Sequence, residues 1–215
     1  MAAARLFARF AQLLDATPAT ALVLVDIPIG LPWSGCPTRP CDALARRMLG
    51  PRRAPSVFPA PSRRASYAAT IQEARARNIV EVGRSLSAQA WGICPKVAEV
   101  DALLQPQPGI RSRVREVHPE VCFWALNGRR AMAHSKSTRE GRDERLSVLS
   151  RYEPTSGALV SKALNEQRRA AVQCDDVLDA LAAYVTASVA SGALLALRGE
   201  PDRDQRGLPM EMLYT

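Results

Sequence analysis

Leu6, Phe7, Phe10, Leu13 and Leu14 fall on one helical face, which predicts an amphipathic helix from about Ala3 to Asp15. Thr17-Pro18 ends it. Residues Ala21 to Ile27 then form an apolar, partly β-branched run broken only by Asp26. That pattern suits a strand buried on both faces, as in a parallel sheet. Pro28, Gly30 and Pro32 stop it. Asp26 therefore falls at the carboxyl end of a central strand, where open α/β sheets place their ligands.

Further along, Asp42 is expected to cap a helix that Gly50-Pro51 ends. A proline-bearing loop, SVFPAPSRR, follows it. Helices are expected over about Ser66 to Val82 and Ser87 to Leu104, the second interrupted near Pro95. A turn covers Gln105 to Gly109. Arg113 to His118 alternates as a second strand, with Val114, Glu116 and His118 on one face. VCFWALNG reads as a short helix or turn, and Gly128 to Arg145 as a polar arm or arginine-rich helix. The last long helix runs from Asp175 to about Gly192, and the tail from about 195 reads as loop with a short packed terminus. Val177 to Leu197 carries one charge, Asp179, but alanine, Ser188, Ser191 and Thr186 dilute it, so a buried core helix is expected rather than a membrane span.

At 215 residues and 47% hydrophobic, the chain is long enough to bury a core without disulfide or metal staples. One domain over 1–215 is expected. The net charge of +8 is uneven: between Leu31 and Thr70 seven arginines face Asp42 alone. Guanidinium forks match phosphate oxygens, although such clusters are commonly solvated surface. Five scattered cysteines without a secretory signal suggest reduced thiols in a cytoplasmic protein. No second close pair follows Cys36 and Cys41, so a zinc clip is not expected. The chain has no Walker A loop, GxGxxG or GxSxG, and two histidines cannot form a His-rich metal site.

Acids gather at element ends. Asp26 closes the first strand, Glu120 follows the second after Glu116 and His118, and Asp175, Asp176 and Asp179 open the last helix. Each has a plainer role when taken alone: Asp175 as an N-cap, Asp26 as a turn residue, Glu116 and His118 as a satisfied pair. Asp179 is harder to place so, because Leu178, Leu181 and Ala182 around it should be buried and an acid there needs a cation. Carboxylates converging from separate elements suit Mg²⁺ or Mn²⁺.

The blocks VDIPIGLP, CDALARRMLGPRRAPSVFPAP, LSAQAWGICPKVAEVD, REVHPEVCFWALNG and DDVLDALAAYVTA resemble, in order, domain of unknown function family 429 (DUF429), described as predicted RNase H-like nucleases. The resemblance implies an α/β, RNase H-like fold in which Asp26 closes the fourth strand, Arg113 to His118 is the fifth, and the helix from Asp175 is the last. Members usually begin with an acid-bearing strand in a segment like GVDG and two more antiparallel strands. No such segment precedes the first helix here. The expectation is therefore an N-terminally truncated fold with about two core strands, an open sheet edge through which copies could associate, and impaired activity.

On that resemblance the protein is a metal-dependent nuclease or phosphohydrolase. Asp26, Glu120, Asp176 and Asp179 would be its metal-binding and catalytic acids, with Glu116 and His118 as further candidates. Arg52, Arg53, Arg63, Lys96 and Lys136 would hold the phosphates of a nucleic acid or nucleotide. A non-catalytic nucleic-acid- or nucleotide-binding module and a protein-interaction scaffold are the alternatives, and no membrane partner is expected.

Overall fold

The computed structural model describes residues 4–105, 108–166, 172–190 and 194–215. It is an α/β protein in which helices surround a small parallel sheet. In chain order the first half holds α1 (Phe10–Asp15), β1 (Val23–Val25), α2 (Pro40–Arg53), α3 (Arg63–Ser66), α4 (Ile71–Val82) and α5 (Ala88–Leu104). Next come α6 (Pro108–Arg113), β2 (Val114–Glu116), α7 (Pro119–Leu126), α8 (Arg139–Ser150), α9 (Ser156–Glu166) and α10 (Cys174–Val189). The tail holds β3 (Leu195–Ala196), β4 (Asp202–Arg203), β5 (Pro209–Met210) and β6 (Leu213–Tyr214).

Strands β1 and β2 run parallel, with Val23 opposite Val114 and Val25 opposite Glu116. Val117 N–H extends the ladder to the Val25 carbonyl at 3.0 Å. Alternation sends Val23, Val25 and Val114 into one apolar layer with Leu14, Val100 and Leu104. Leu24 and Val117 face the other layer, where Phe123 and Leu126 of α7 meet Leu178, Leu181 and Val185 of α10. Among the described residues no strand pairs with the free edge of β1. Its faces are covered all the same, since Val23 and Val25 are each 8% exposed and only Leu22, at 42%, lies open. Helices, not strands, do that covering.

Several boundaries differ from the sequence reading. Helix α2 starts at Pro40, and Asp42 lies in its first turn, 3.2 Å from Arg39, rather than capping it. Gly50, at φ 68°, breaks the helix, which resumes to Arg53. The helix expected from Ser66 is divided, with Thr70 accepting the Glu73 N–H to start α4. Helix α5 runs through Pro95 uninterrupted, because Cys94, Val97, Val100 and Leu104 bury one face on both sides of it. The helix ends expected at Ala3 and Gly192, and Pro106 and Gln107 of the expected turn, lie outside the described residues. Among the described residues no helix is long and apolar enough to cross a membrane. All five cysteines are free thiols.

The tail is more ordered than a loop. β3 pairs with β6 and β4 with β5, both antiparallel, and Leu213 bridges to Val117 beside β2. Met210, Met212 and Leu213 are buried. β5 also presses on the loop after β1. At Gly30, φ 71°, a Cβ would stand 2.4 Å from the Pro209 carbonyl oxygen, so a side chain cannot fit without moving backbone.

Candidate active site

A cavity of about 600 Å³ opens at the carboxyl ends of β1 and β2. Asp26, Glu116, His118, Glu120, Lys136 and Asp179 line it, with Arg52 and Arg53 on its wall. The loop carrying Asp26 is fixed from beneath. Ile29 N–H donates to Glu116 at 2.6 Å, and Leu31 N–H donates to Asp204 at 3.1 Å. Arg39, fully buried, reaches both the Ile29 carbonyl and Glu116 and ties the start of α2 to the same place.

Asp26 and Asp179, from separate elements, open into this one cavity. Asp26 keeps solvent contact, yet the surrounding walls raise its carboxyl above the ordinary range, with His118 and Lys136 pulling it back. Burial raises Asp179 as well; Lys136 opposes that shift, while Asp26 and Glu120 add to it. Such desolvated acids oppose folding when ionised. For a raised pKa, stability is fully present below the ordinary value of 3.8 and falls as pH rises through the folded-state pKa. Asp26→Asn should therefore melt a degree or two higher than wild type at pH 7, with the gap closing below pH 3.8. Melting curves across pH test this. A variant less stable at pH 7 would mean that the charge is satisfied in place.

Glu120 is 5% exposed in the first turn of α7, and Arg145 binds its Oε1. Its Oε2 has no hydrogen-bond partner among the described residues. His118 is the N-cap of α7: Nδ1 accepts the Glu120 N–H at 3.3 Å, so Nε2–H faces the Ser56 carbonyl at 3.3 Å. Both ring nitrogens thus have positioning roles.

Other candidates lie elsewhere or are engaged. Asp176 is exposed and outside the cavity; its Oδ2 accepts the Gln173 N–H at 2.9 Å as a helix-capping group. Glu116 sits on the cavity floor but is committed to Arg39 and Ile29 N–H, and burial pushes its carboxyl up to about 8. Arg63 turns away to grip Asp101, at 3.0 Å, and Asp204. Lys96 is exposed on α5, off the cavity. Arg53 reaches the wall but spends its guanidinium on the Met132 and Ala133 carbonyls, at 2.9 and 3.1 Å. Arg52 remains an exposed cation on the rim.

Sequence reasoning missed Arg145, which is wholly buried behind Glu120. The signal was present: Arg145 shares the i, i+3, i+4 face of α8 with buried Val148 and Leu149. An arginine on such a face needs a buried acid. Among the described residues no three His, Cys, Asp or Glu side chains stand close enough to hold a metal ion together. Asp26 and Asp179 do fit the commoner magnesium arrangement, in which one or two carboxylates are completed by water and substrate oxygens.

The architecture and the cavity define an α/β protein with an acidic site at the carboxyl end of a parallel sheet, flanked by cations. Residues 1–203 match the family described as Protein of unknown function (DUF429), and the chain belongs to that family. No curated protein and no solved structure matches it.

Proposed function

We propose that the protein is a divalent-metal-dependent phosphodiester hydrolase, a nuclease of RNase H-like type. The supporting observation is the convergence of Asp26, at the end of β1, and Asp179, on α10, in one cavity with cations at its wall. Acids that share a site at the cost of desolvation are retained where chemistry uses them. A Mg²⁺ or Mn²⁺ ion, when bound, acidifies its water and neutralises phosphate charge.

Asp26 and Asp179 hold that ion. Arg52 draws in the phosphate and holds its non-bridging oxygens. Glu120 Oε2, the carboxylate atom without a partner among the described residues, takes the proton of the attacking water. The bond formed joins water oxygen to phosphorus. The bond broken joins phosphorus to the leaving sugar oxygen, which takes its proton from solvent.

Labelled single-stranded and duplex oligonucleotides, incubated with Mn²⁺, with Mg²⁺ and with chelator, test the reading. Cleavage should need the metal and fall about 100-fold or more in Asp26→Asn and Asp179→Asn. Chelator-resistant cleavage, or equal rates in wild type and both variants, would overturn it. Salt-sensitive binding with no turnover would make the protein a nucleic-acid-binding module instead.

A further inference from the structure

Lys136 was expected to hold substrate phosphate, but its partners in the fold are acids. Its Nζ lies 2.8 Å from Asp179 Oδ2 and 3.7 Å from Asp175 Oδ2. Asp26 lies within its field, and the carboxylates around it raise the ammonium's pKa. Asp26 itself makes no hydrogen bond or ion pair among the described residues.

The placement of Lys136 is over-determined. Arg53 holds the carbonyls of Met132 and Ala133, just before it. Glu144 accepts the N–H groups of Ala133 and His134 at 2.8 and 2.9 Å. Arg145 donates to the His134 carbonyl at 3.2 Å. Ser135 packs so closely on the first turn of α8 that a Cβ at Gly141 would meet its carbonyl oxygen at 1.8 Å. A loop that only followed substrate would not need so many anchors. A separate observation marks the cavity as a ligand site: Glu120 lines it, is 5% exposed and leaves Oε2 unpartnered among the described residues.

We propose that the Lys136 ammonium fills the position beside Asp179 that a second divalent ion would otherwise take, so that the cavity binds a single metal ion, on the Asp26 side. The inference rests on the hydrolase reading. Its physical basis is charge: a fixed ammonium against Asp179 offsets one carboxylate and repels a cation brought to the same oxygens. What remains is one unpaired acid, Asp26, with Asp179 as a shared neighbour. That set suits one hydrated ion.

Manganese binding reads this directly, without turnover. The full chain is titrated with Mn²⁺ alone and free ion is followed by electron paramagnetic resonance. Wild type and Lys136→Arg should each bind one ion per chain. Lys136→Met should bind a second ion, or bind its ion about 10-fold or more tightly, the size of effect that changing a ligand's immediate partner has on metal affinity. Mn²⁺ should also raise the melting temperature of Lys136→Met more than that of wild type, which keeps the test valid if the variant is weakened. Two ions on wild type, or identical binding by wild type and Lys136→Met, would overturn the inference and leave metal-dependent hydrolysis standing. No Mn²⁺ bound by wild type, together with no cleavage, would overturn both.

Discussion

Arg145→Leu should lower stability by about 3–5 kcal/mol, the cost of stripping one partner from a buried ion pair. In a chain of this length that is a fall in melting temperature on the order of 10 °C. Arg145 is 0% exposed and lies 5.4 Å over the Phe123 ring. It binds Glu120 Oε1 and donates to the Gly141 carbonyl at 2.9 Å and the His134 carbonyl at 3.2 Å. Leucine fills much of the volume but leaves Glu120 ionised and without a partner for either oxygen. The double variant Glu120→Gln/Arg145→Leu removes the stranded charge and should recover a large part of the loss, a coupling that a double-mutant cycle measures. A loss under about 1 kcal/mol for Arg145→Leu alone, typical of an exposed pair, would show that water reaches Glu120.

Gly141→Ala should be destabilising although helix propensity predicts the reverse. In an open helix alanine is favoured over glycine by about 1 kcal/mol. Here the added Cβ would lie 1.8 Å from the Ser135 carbonyl oxygen and 2.5 Å from its carbonyl carbon. Both are backbone, so the strand of loop bearing Lys136 must move. Overpacking of this kind costs about 1–3 kcal/mol. Denaturant melts give the sign. A net gain in stability would mean that the loop relaxes without cost. If the loop does move, Mn²⁺ binding by Gly141→Ala should shift towards that of Lys136→Met, linking the packing of α8 to the charge at Asp179.

The local signals that survived folding were those set by burial. Ala21 to Ile27 reads as a strand covered on both faces, and Val23, Leu24 and Val25 do divide between two helical layers. Asp179 reads as an acid needing a cation, and Lys136 supplies it. Where side chains compete for partners across the fold, the sequence was silent. Glu116 and Asp26 look alike as acids at strand ends. Only Arg39, 77 residues from Glu116, distinguishes the committed carboxylate from the open one. Arg63 and Arg52 belong to one basic segment, yet Asp101 and Asp204 claim the first. Asp176 and Asp179 are one helical turn apart, and the capping bond to Gln173 takes Asp176 to solvent. The tail's β pairs, only two residues each, carry no periodicity to detect.

The contact of residues 204–213 with the Asp26 loop has a consequence for the order of events during synthesis. Asp204 accepts the Leu31 N–H, β5 lies against Gly30, and Leu213 bridges to Val117. A ribosome that has made everything through α10 has released both cavity aspartates but not the residues that hold the loop of the first. Domains generally fold as units as the chain emerges. The catalytic pocket of this protein is thus among the last parts to be set, and a nascent chain carries its acids without the clamp that aims them.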